Sequence, residues 1–254
     1  MHRLGIVAGD GRLPLEIRAW CEKRGIPFEY AQARRRGRGC AGYPLAALGR
    51  VVRMFGRRGI DRVVLAGGVR GSRIGFSWLL VKFAWKLLFM RNRYDGVLRL
   101  VIGEFEKAGM SVVSVQDIMP RMAAGKGVMT KTRPSPQIMG EIRKLLPGAR
   151  AFAATDRGQS VVALGGKIMA KEKFDGTDKL LNRRKAMRGA ILIKVAKPFQ
   201  DLRADAPVIG FETVKNLAKN GFAGAAVEAG KTIITSRAET LRLANRLGLF
   251  IVGV

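Results

Sequence analysis

Polar and charged residues are concentrated in one stretch of the chain, residues 194–210. The stretch follows an apolar run at residues 190–195, whose length and β-branched residues predict a buried strand, and it leads into a second apolar run at residues 207–210. Its polar side chains are those of Lys194, Lys197, Gln200, Asp201, Arg203 and Asp205. Carboxylates can bind a hard cation, ammonium and guanidinium groups can bind phosphate oxygens, and an amide can orient a water or a sugar hydroxyl. The set therefore contains the parts needed to cleave a phosphoanhydride. A solvated connection in a basic protein is the alternative interpretation.

A second group of carboxylates lies shortly before this stretch. Glu172, Asp175 and Asp178 precede or begin a helix that the pattern predicts at residues 179–187. Thr177 or Asp178 could cap that helix, and the three carboxylates could equally complete a metal or phosphate site with the stretch 194–210. The sequence leaves both interpretations open.

Two glycine corners follow predicted strands in the first half of the chain. Gly9 and Gly11 lie between a strand at residues 4–8 and a helix at residues 13–24, and Gly67 and Gly68 follow a strand at residues 60–66. A strand, a glycine turn and a helix N-terminus favour an anion, and the carboxyl ends of adjacent parallel strands meet in one crevice. The complete dinucleotide fingerprint is missing, which argues against an NAD-dependent oxidoreductase.

The length and composition predict an ordered α/β protein of one large or two medium domains. The chain has 254 residues, of which 48% are hydrophobic. Residues 122–136 lose periodicity and collect Gly, Lys and Pro, which predicts a linker at residues 125–136 between domains at residues 1–124 and 137–254. The second domain should begin with a helix at residues 137–146, and Gly165 and Gly166 predict the turn of a hairpin.

The charge of the chain is its most unusual global property. Lys and Arg number 47 against 19 Asp and Glu, a formal net charge of +28. A polyanionic partner is therefore considered: nucleic acid, an anionic membrane surface or a phosphorylated substrate. No recognised nucleic-acid-binding signature accompanies the basic residues, but a non-enzymatic nucleic-acid-binding protein stays the alternative function. A source organism with generally basic proteins is a further explanation.

The sequence argues against several kinds of functional site, and against a signal peptide or a membrane span. Cys21 and Cys40 lack CxxC spacing, which argues against a zinc site and fits a reducing compartment, and His2 is the sole histidine, which excludes histidine-based triads. The start of the chain is too soon interrupted by charge to be a signal peptide. Residues 76–90 are shorter than a membrane span and carry two lysines, so an amphipathic helix packed on the core is predicted there.

Taken together, several segments resemble the UDP-2,3-diacylglucosamine diphosphatase family, whose enzymes make a monosaccharide precursor of lipid A. The segments that carry the resemblance are residues 4–14 (LGIVAGDGRLP), 65–69 (LAGGV), Asp95 with 104–106 (EFE), 158–159 (GQ), 176–178 (GTD), 197–207 (KPFQDLRADAP) with 209–210 (IG), and 248–254 (GLFIVGV). The block at residues 197–207 is the most specific of these.

The resemblance implies a Rossmann-like N-terminal domain, a catalytic C-terminal mixed α/β domain, a homodimer and Mg²⁺-dependent hydrolysis of UDP-2,3-diacylglucosamine to UMP and 2,3-diacylglucosamine 1-phosphate. It implies a cytoplasmic enzyme that could contact the inner face of the inner membrane, and no nucleic-acid partner. Catalytic roles fall on Asp205, Asp201 and Lys197, and metal binding on Asp205, Asp201 and Asp178. Substrate-binding roles fall on Gly9, Gly11, Gly67, Gln159, Thr177, Gln200 and Arg203.

Overall fold

A computed structural model of the chain describes residues 2–32, 48–68, 93–173, 176–183 and 187–254, and residues 93–95 by their backbone alone. The chain divides into two compact units. The first comprises Met1–Ile118 with Arg203–Asp205, and the second comprises Met119–Leu202 with Ala206–Val254. The amphipathic helix predicted at residues 76–90 and the candidate ligand Asp175 lie outside the described residues.

The first unit contains a parallel four-stranded sheet with the order β2-β1-β3-β4. The strands are β1 (Leu4–Ala8), β2 (Phe28–Gln32), β3 (Arg62–Ala66) and β4 (Ser111–Val113). The helices are α1 (Leu13–Arg24), α2 (Leu48–Arg57), α3 (Arg93–Lys107) and α4 (Val115–Ile118). Strands alternate with helices and are mostly apolar, as a parallel sheet covered by helices requires.

Helix α1 begins and ends where its sequence dictates. Pro14 stands in its first turn, where a missing N–H costs nothing, and Gly25 ends it in the left-handed conformation with φ of 63°. Leu13, Ile17 and Cys21 lie on its buried face. The predicted bounds, residues 13–24, are therefore confirmed.

Aromatic packing fixes the core of the first unit. The rings of Phe55 and Phe105 are both fully buried and stack with centroids 6.0 Å apart. Gly5 lies in the middle of β1 because a Cβ there would come within 2.4 Å of the Phe55 ring. A side chain at position 5 would thus displace the helix that the sheet packs on.

The second unit contains a six-stranded sheet with the order β5-β12-β10-β8-β6-β7 and a separate parallel pair, β9 with β11. The strands are β5 (Gly127–Val128), β6 (Ser160–Leu164), β7 (Lys167–Lys171), β8 (Ile191–Lys194), β9 (Val208–Ile209), β10 (Gly224–Val227), β11 (Ile233–Ile234) and β12 (Phe250–Gly253). The helices are α5 (Pro136–Ala153), α6 (Thr177–Arg183), α7 (Phe211–Lys219) and α8 (Arg237–Arg246). Strands β8, β10 and β12 are parallel, and β5, β6 and β7 are antiparallel to their neighbours.

Alternate residues of the central strands enter two cores, one on each face of the sheet. Leu192 and Ala225 pack in the core that includes residues of α6, α7 and α8, whereas Ile193 and Ala226 pack with residues of α5. Burial on both faces explains why these strands are continuously apolar, and it confirms the α/β fold class predicted from the sequence.

The stretch predicted as a linker and the helix after it differ in detail from expectation. Within residues 125–136, β5 forms the edge of the second sheet by pairing with β12. Helix α5 starts one residue before the predicted position 137, where Ser135 Oγ accepts a hydrogen bond from the Ile138 N–H at 3.2 Å. The sequence predicted a helical or irregular piece after residue 146, and the structure shows that the helix continues through Pro147 to Ala153, because Ala149, Phe152 and Ala153 are buried against the sheet.

The hairpin predicted at Gly165 and Gly166 is confirmed. It joins β6 to β7, and both glycines adopt positive φ, 57° and 70°, as the tight two-residue hairpin turn requires.

Among the described residues, no helix combines the length and the apolar character needed to cross a bilayer.

Candidate functional site

A cavity of about 510 Å³ opens in the second unit beyond the carboxyl ends of β8 and β10. Its lining consists of Arg150, Ala196, Lys197, Pro198, Gln200, Leu202, Glu228 and Lys231. The carboxyl ends of parallel strands are where open α/β proteins bind ligands, and the volume is in the range of small-molecule sites. The predicted residues Lys197 and Gln200 therefore lie together in a concave site.

The side chain of Lys197 is fixed by an ion pair. Its Nζ lies 2.6 Å from Asp156 Oδ1, and the two side chains are only 15% and 22% exposed. Asp156 follows α5 and adopts a left-handed backbone with φ of 60°, which is uncommon for a residue other than glycine. The turn that ends α5 thus places a carboxylate against the Lys197 ammonium.

The backbone of the turn at residues 196–200 is held by two side chains. Gln200 is buried, and its Oε1 accepts a hydrogen bond from the Lys197 N–H at 3.0 Å. Glu228 Oε2 accepts one from the Ala196 N–H at 2.9 Å. Lys197 is therefore held in two ways, by the hydrogen bonds to the backbone of its turn and by the ion pair of its ammonium group with Asp156. Such preorganisation is typical of side chains in a binding site.

Glu228 is a buried carboxylate at the end of β10. Besides the Ala196 amide, it accepts hydrogen bonds at Oε1 from Arg150 Nη2 at 3.1 Å and from Lys231 Nζ at 3.0 Å. Its burial by itself raises the pKa, but the Ala196 amide, Lys231 and Arg150 together lower it by more, so the pKa of Glu228 lies below the ordinary value. Glu228 is therefore ionised at neutral pH.

A second polar network lies among β6, β8 and the start of α6. Thr177 Oγ1 donates to Glu172 Oε1 at 2.8 Å, accepts from Lys194 Nζ at 2.7 Å and contacts Ser160 Oγ at 3.0 Å. Glu172 Oε2 accepts from the Gln159 N–H at 2.8 Å. Because Glu172 and Lys194 are both nearly inaccessible, the Thr177 hydroxyl links two buried polar side chains.

Two of the residues predicted to bind substrate belong to this network. Thr177 is the first residue of α6, two positions before the predicted start of that helix, and its hydroxyl contacts side chains outside the helix. Gln159 Oε1 is buried and has no hydrogen-bond partner in the part of the chain that the structure describes. A buried amide oxygen in this state can accept a hydrogen bond from a ligand.

The predicted metal ligands are distributed over both units. Asp201 belongs to the second unit and Asp205 to the first, and both are half-buried. Asp178 Oδ1 accepts a hydrogen bond from Asn216 Nδ2 at 3.2 Å, which ties α6 to α7. Within residues 2–32, 48–68, 93–173, 176–183 and 187–254, no three His, Cys, Asp or Glu side chains are grouped to hold a metal ion.

Arg203 and Asp205 belong to the first unit although the chain around them belongs to the second. Arg203 Nη1 lies 2.7 Å from Glu106 Oε1 on α3. The ion pair lies within the first unit, and Ala204 of the same segment packs against the hydrophobic core of that unit.

The two glycine corners of the first unit lie against one another. The Asp10 N–H donates to Gly68 O at 2.7 Å, and the Gly68 N–H donates to Asp10 O at 3.0 Å. A Cβ at Gly9 would come within 2.8 Å of Gly67 O, and a Cβ at Gly67 within 2.5 Å of Asp10 O. Gly11 has φ of 107° and open space around it. The expected meeting of these corners at the end of adjacent strands is confirmed.

Four residues of the cavity region were not predicted from the sequence, namely Asp156, Arg150, Glu228 and Lys231. Arg150 lies beyond Pro147, in a piece that the sequence left as either helical or irregular. The segment 228–231 (EAGK) follows a buried strand directly, and polar residues at that position were a signal of a site at the sheet edge.

The fold and this site define a two-unit α/β protein with a cation-lined cavity at the carboxyl ends of two parallel strands of a mixed sheet. The chain belongs to the LpxI family: residues 3–122 match the LpxI N-terminal domain and residues 125–252 match the LpxI C-terminal domain. A protein of Caulobacter vibrioides, UDP-2,3-diacylglucosamine pyrophosphatase LpxI, is 34% identical over 276 aligned positions that cover 100% of this chain and 98% of the relative. The family resemblance inferred from the sequence is confirmed.

Proposed function

We propose that this chain hydrolyses the diphosphate of UDP-2,3-diacylglucosamine in lipid A biosynthesis, releasing UMP and 2,3-diacylglucosamine 1-phosphate. The full-length match to a relative named for pyrophosphatase activity on this substrate supports the reaction class. The same match does not favour the nucleic-acid-binding alternative that the net charge of +28 raised.

The observation that carries the proposal is the cationic lining of the cavity beyond β8 and β10. Arg150, Lys197 and Lys231 line it. A diphosphate diester carries two negative charges that repel an incoming water, and cationic donors held in place lower that repulsion without reorganising during the reaction. We assign Lys197 to a diphosphate oxygen, with Gln200 holding the turn and Arg203 as a further phosphate contact.

The proposed reaction is a single displacement at phosphorus. A water oxygen forms a bond to one phosphorus atom, the bond from that phosphorus to the bridging oxygen breaks, and the bridging oxygen leaves with the other phosphate. The two protons of the water end on the products or the solvent. Asp205 orients this water and accepts one of its protons. Asp201 is the second carboxylate that takes part in activating the water.

Mg²⁺ fits the oxygen donors of this chain. The ion usually binds through one or two carboxylates, substrate phosphates and waters, so a group of three acidic side chains is not required. Asp205 and Asp201 would hold it, with Asp178 as the third candidate. When bound, it would neutralise phosphate charge and polarise the attacked phosphorus.

The same proposal includes the other predicted substrate contacts, the homodimer and the location of the enzyme. The backbone at Gly9, Gly11 and Gly67 and the side chains of Gln159 and Thr177 contact the substrate. The enzyme acts as a homodimer in the cytoplasm, and contact with the anionic inner face of the inner membrane brings it to its lipid substrate.

The test is incubation of the full chain with UDP-2,3-diacylglucosamine and Mg²⁺ while UMP release is followed. Activity should require the metal and stop with EDTA. Asp205→Asn should lower kcat by about 10²–10⁴-fold, the usual contribution of a general base, with an unchanged melting temperature. Asp117→Asn is the matched control in the first unit, because an amide oxygen can replace its cap on the Ser114 N–H. Metal-independent UMP release, or full activity of Asp205→Asn, would contradict the proposal.

A further inference from the structure

We propose that Asp156 is a positioning residue in the proposed reaction, and that it holds the ammonium group of Lys197 at the wall of the cavity. The role rests on the proposed function, because Lys197 is the residue assigned to a diphosphate oxygen. The contact between the two side chains rests on the structure.

The sheet of the second unit brings Asp156 and Lys197 together. Ser160, the first residue of β6, pairs with Lys194, the last residue of β8, and the two strands are antiparallel. The chain before β6 and the chain after β8 therefore leave the sheet at the same end and beside each other. Asp156 lies shortly before β6 and Lys197 shortly after β8, where it lines the cavity.

The backbone at Asp156 adopts a conformation that is uncommon for residues other than glycine. Its φ is 60°, and its N–H donates to Ala153 O at 3.1 Å, so this left-handed residue belongs to the turn that ends α5. Glycine adopts such a conformation without steric cost, and asparagine tolerates it. The turn by itself therefore does not require a carboxylate, whereas the ion pair with Lys197 does. An uncommon backbone conformation at a ligand cavity is a recurrent feature of functional sites.

The ion pair orders the lysine before a ligand arrives. Lys197 Nζ and Asp156 Oδ1 lie 2.6 Å apart, and because the side chains are only 15% and 22% exposed, water screens their attraction incompletely. A lysine on its long flexible stem loses rotamer freedom when it binds a ligand. An ammonium group that is already held loses less, and a preorganised charge stabilises the transition state without moving during the reaction. Asp156 thus acts through Lys197 and not on the substrate.

The test measures kcat and KM for UMP release from UDP-2,3-diacylglucosamine by the full chain and its variants. Asp156→Asn keeps the size of the side chain and tolerates the left-handed backbone, Asp156→Gly removes the backbone strain, and both remove the carboxylate. Each should lower kcat between about 10-fold and 10²-fold, the loss expected when a catalytic group is misplaced by about 1 Å. KM should change less, because the preorganised charge acts mainly in the transition state.

Glu212→Gln is the matched control for the loss of a carboxylate. Glu212 pairs with Lys215 on the surface of α7, so its replacement removes a carboxylate–lysine pair of the same unit outside the cavity lining. This variant should be as active as the unchanged chain. Melting temperatures of all variants are compared, and activity is measured well below the lowest of them, so that lost activity is not lost folding.

A second comparison separates positioning from a structural role. Asp156→Asn is repeated in a chain that carries Lys197→Met, in which the ammonium group is already missing. If Asp156 acts through Lys197, it should lower the remaining activity by less than about twofold, because residues that act as a unit are not additive. A structural role would lower activity by the same factor in both backgrounds.

Three results would overturn the role of Asp156 and leave the proposed reaction standing. They are full activity of Asp156→Asn and Asp156→Gly, an equal loss with and without Lys197, and a gain of activity, which would show that the carboxylate withholds the ammonium group from the substrate. An unchanged chain that releases no UMP would overturn the proposed reaction, and the role of Asp156 would fall with it.

Discussion

At the scale of single residues, Glu228 makes the stability of the second unit depend on pH. Its folded pKa is below the ordinary value of 4.5, so its contribution is present above that value and is lost as the pH falls through the lower folded pKa. Glu228→Gln should therefore destabilise the chain at neutral pH by about 1–3 kcal/mol, because two cations and the Ala196 amide lose a charged acceptor. Denaturant unfolding at pH 7 and below pH 4 measures both effects, and the difference between variant and unchanged chain should shrink at acid pH.

Glu212→Gln is the control for that measurement. Glu212 is 70% exposed and pairs with Lys215 at 3.4 Å on the surface of α7, so its replacement should change the unfolding free energy by less than about 0.5 kcal/mol at either pH. A constant deficit of Glu228→Gln from neutral to acid pH would show that its carboxylate charge does not stabilise the fold.

The sequence predicts part of the cavity and misses the residues that depend on distant contacts. Lys197 and Gln200 were identified because they follow a buried strand in a dense polar stretch. Asp156 is separated from Lys197 by the β6–β7 hairpin and α6, and Glu228 lies 32 residues from Ala196, whose amide it binds. No periodicity in the sequence predicts either contact, because both depend on which strands become neighbours in the sheet.

At the scale of elements, the glycine corner between β1 and β3 allows a direct comparison of two adjacent residues. Gly67 has φ of 89°, and a Cβ there would come within 2.5 Å of Asp10 O, whereas a Cβ at Gly68 would meet nothing within 4 Å. Gly67→Ala should therefore destabilise the first unit by about 1–3 kcal/mol through backbone strain and the shift of Asp10. Gly68→Ala should cost less than about 0.5 kcal/mol, as an unhindered surface substitution does. Thermal unfolding of the two variants measures the difference, and equal melting temperatures would contradict the close approach of the two corners.

Elements with a strong local signal were predicted to within a residue or two, and the exceptions have a tertiary cause. Strand β1 and helix α1 have the expected bounds because each has a clear apolar pattern beside a glycine or proline boundary. Helix α5 passes through Pro147, which removes one hydrogen bond of the helix, because burial of Phe152 and its neighbours against the sheet outweighs that local cost. Strand β5 has only two residues, too few for any pattern.

At the scale of the whole molecule, the net charge of +28 acts over a longer range than any contact in the cavity. Composition alone could not decide which polyanion this charge attracts. Family membership favours a phosphorylated lipid substrate over nucleic acid, and an anionic membrane surface is compatible with that substrate. Under the proposed function, the same charge would attract both the phosphorylated substrate and an anionic membrane surface.

The full chain should bind vesicles that contain phosphatidylglycerol and should not bind vesicles of phosphatidylcholine alone. Each Lys or Arg near an anionic surface contributes about 1 kcal/mol, and this attraction is screened as the Debye length falls from about 10 Å at 0.1 M salt to about 3 Å at 1 M. Co-sedimentation across this range measures the effect, which should disappear at the highest salt. Phe199 is 67% exposed and provides the matched control, since Phe199→Ser removes apolar surface and no charge. Binding that persists at 1 M salt and is lost in Phe199→Ser would contradict the electrostatic account, because it would show that insertion of an apolar side chain holds the protein on the vesicle.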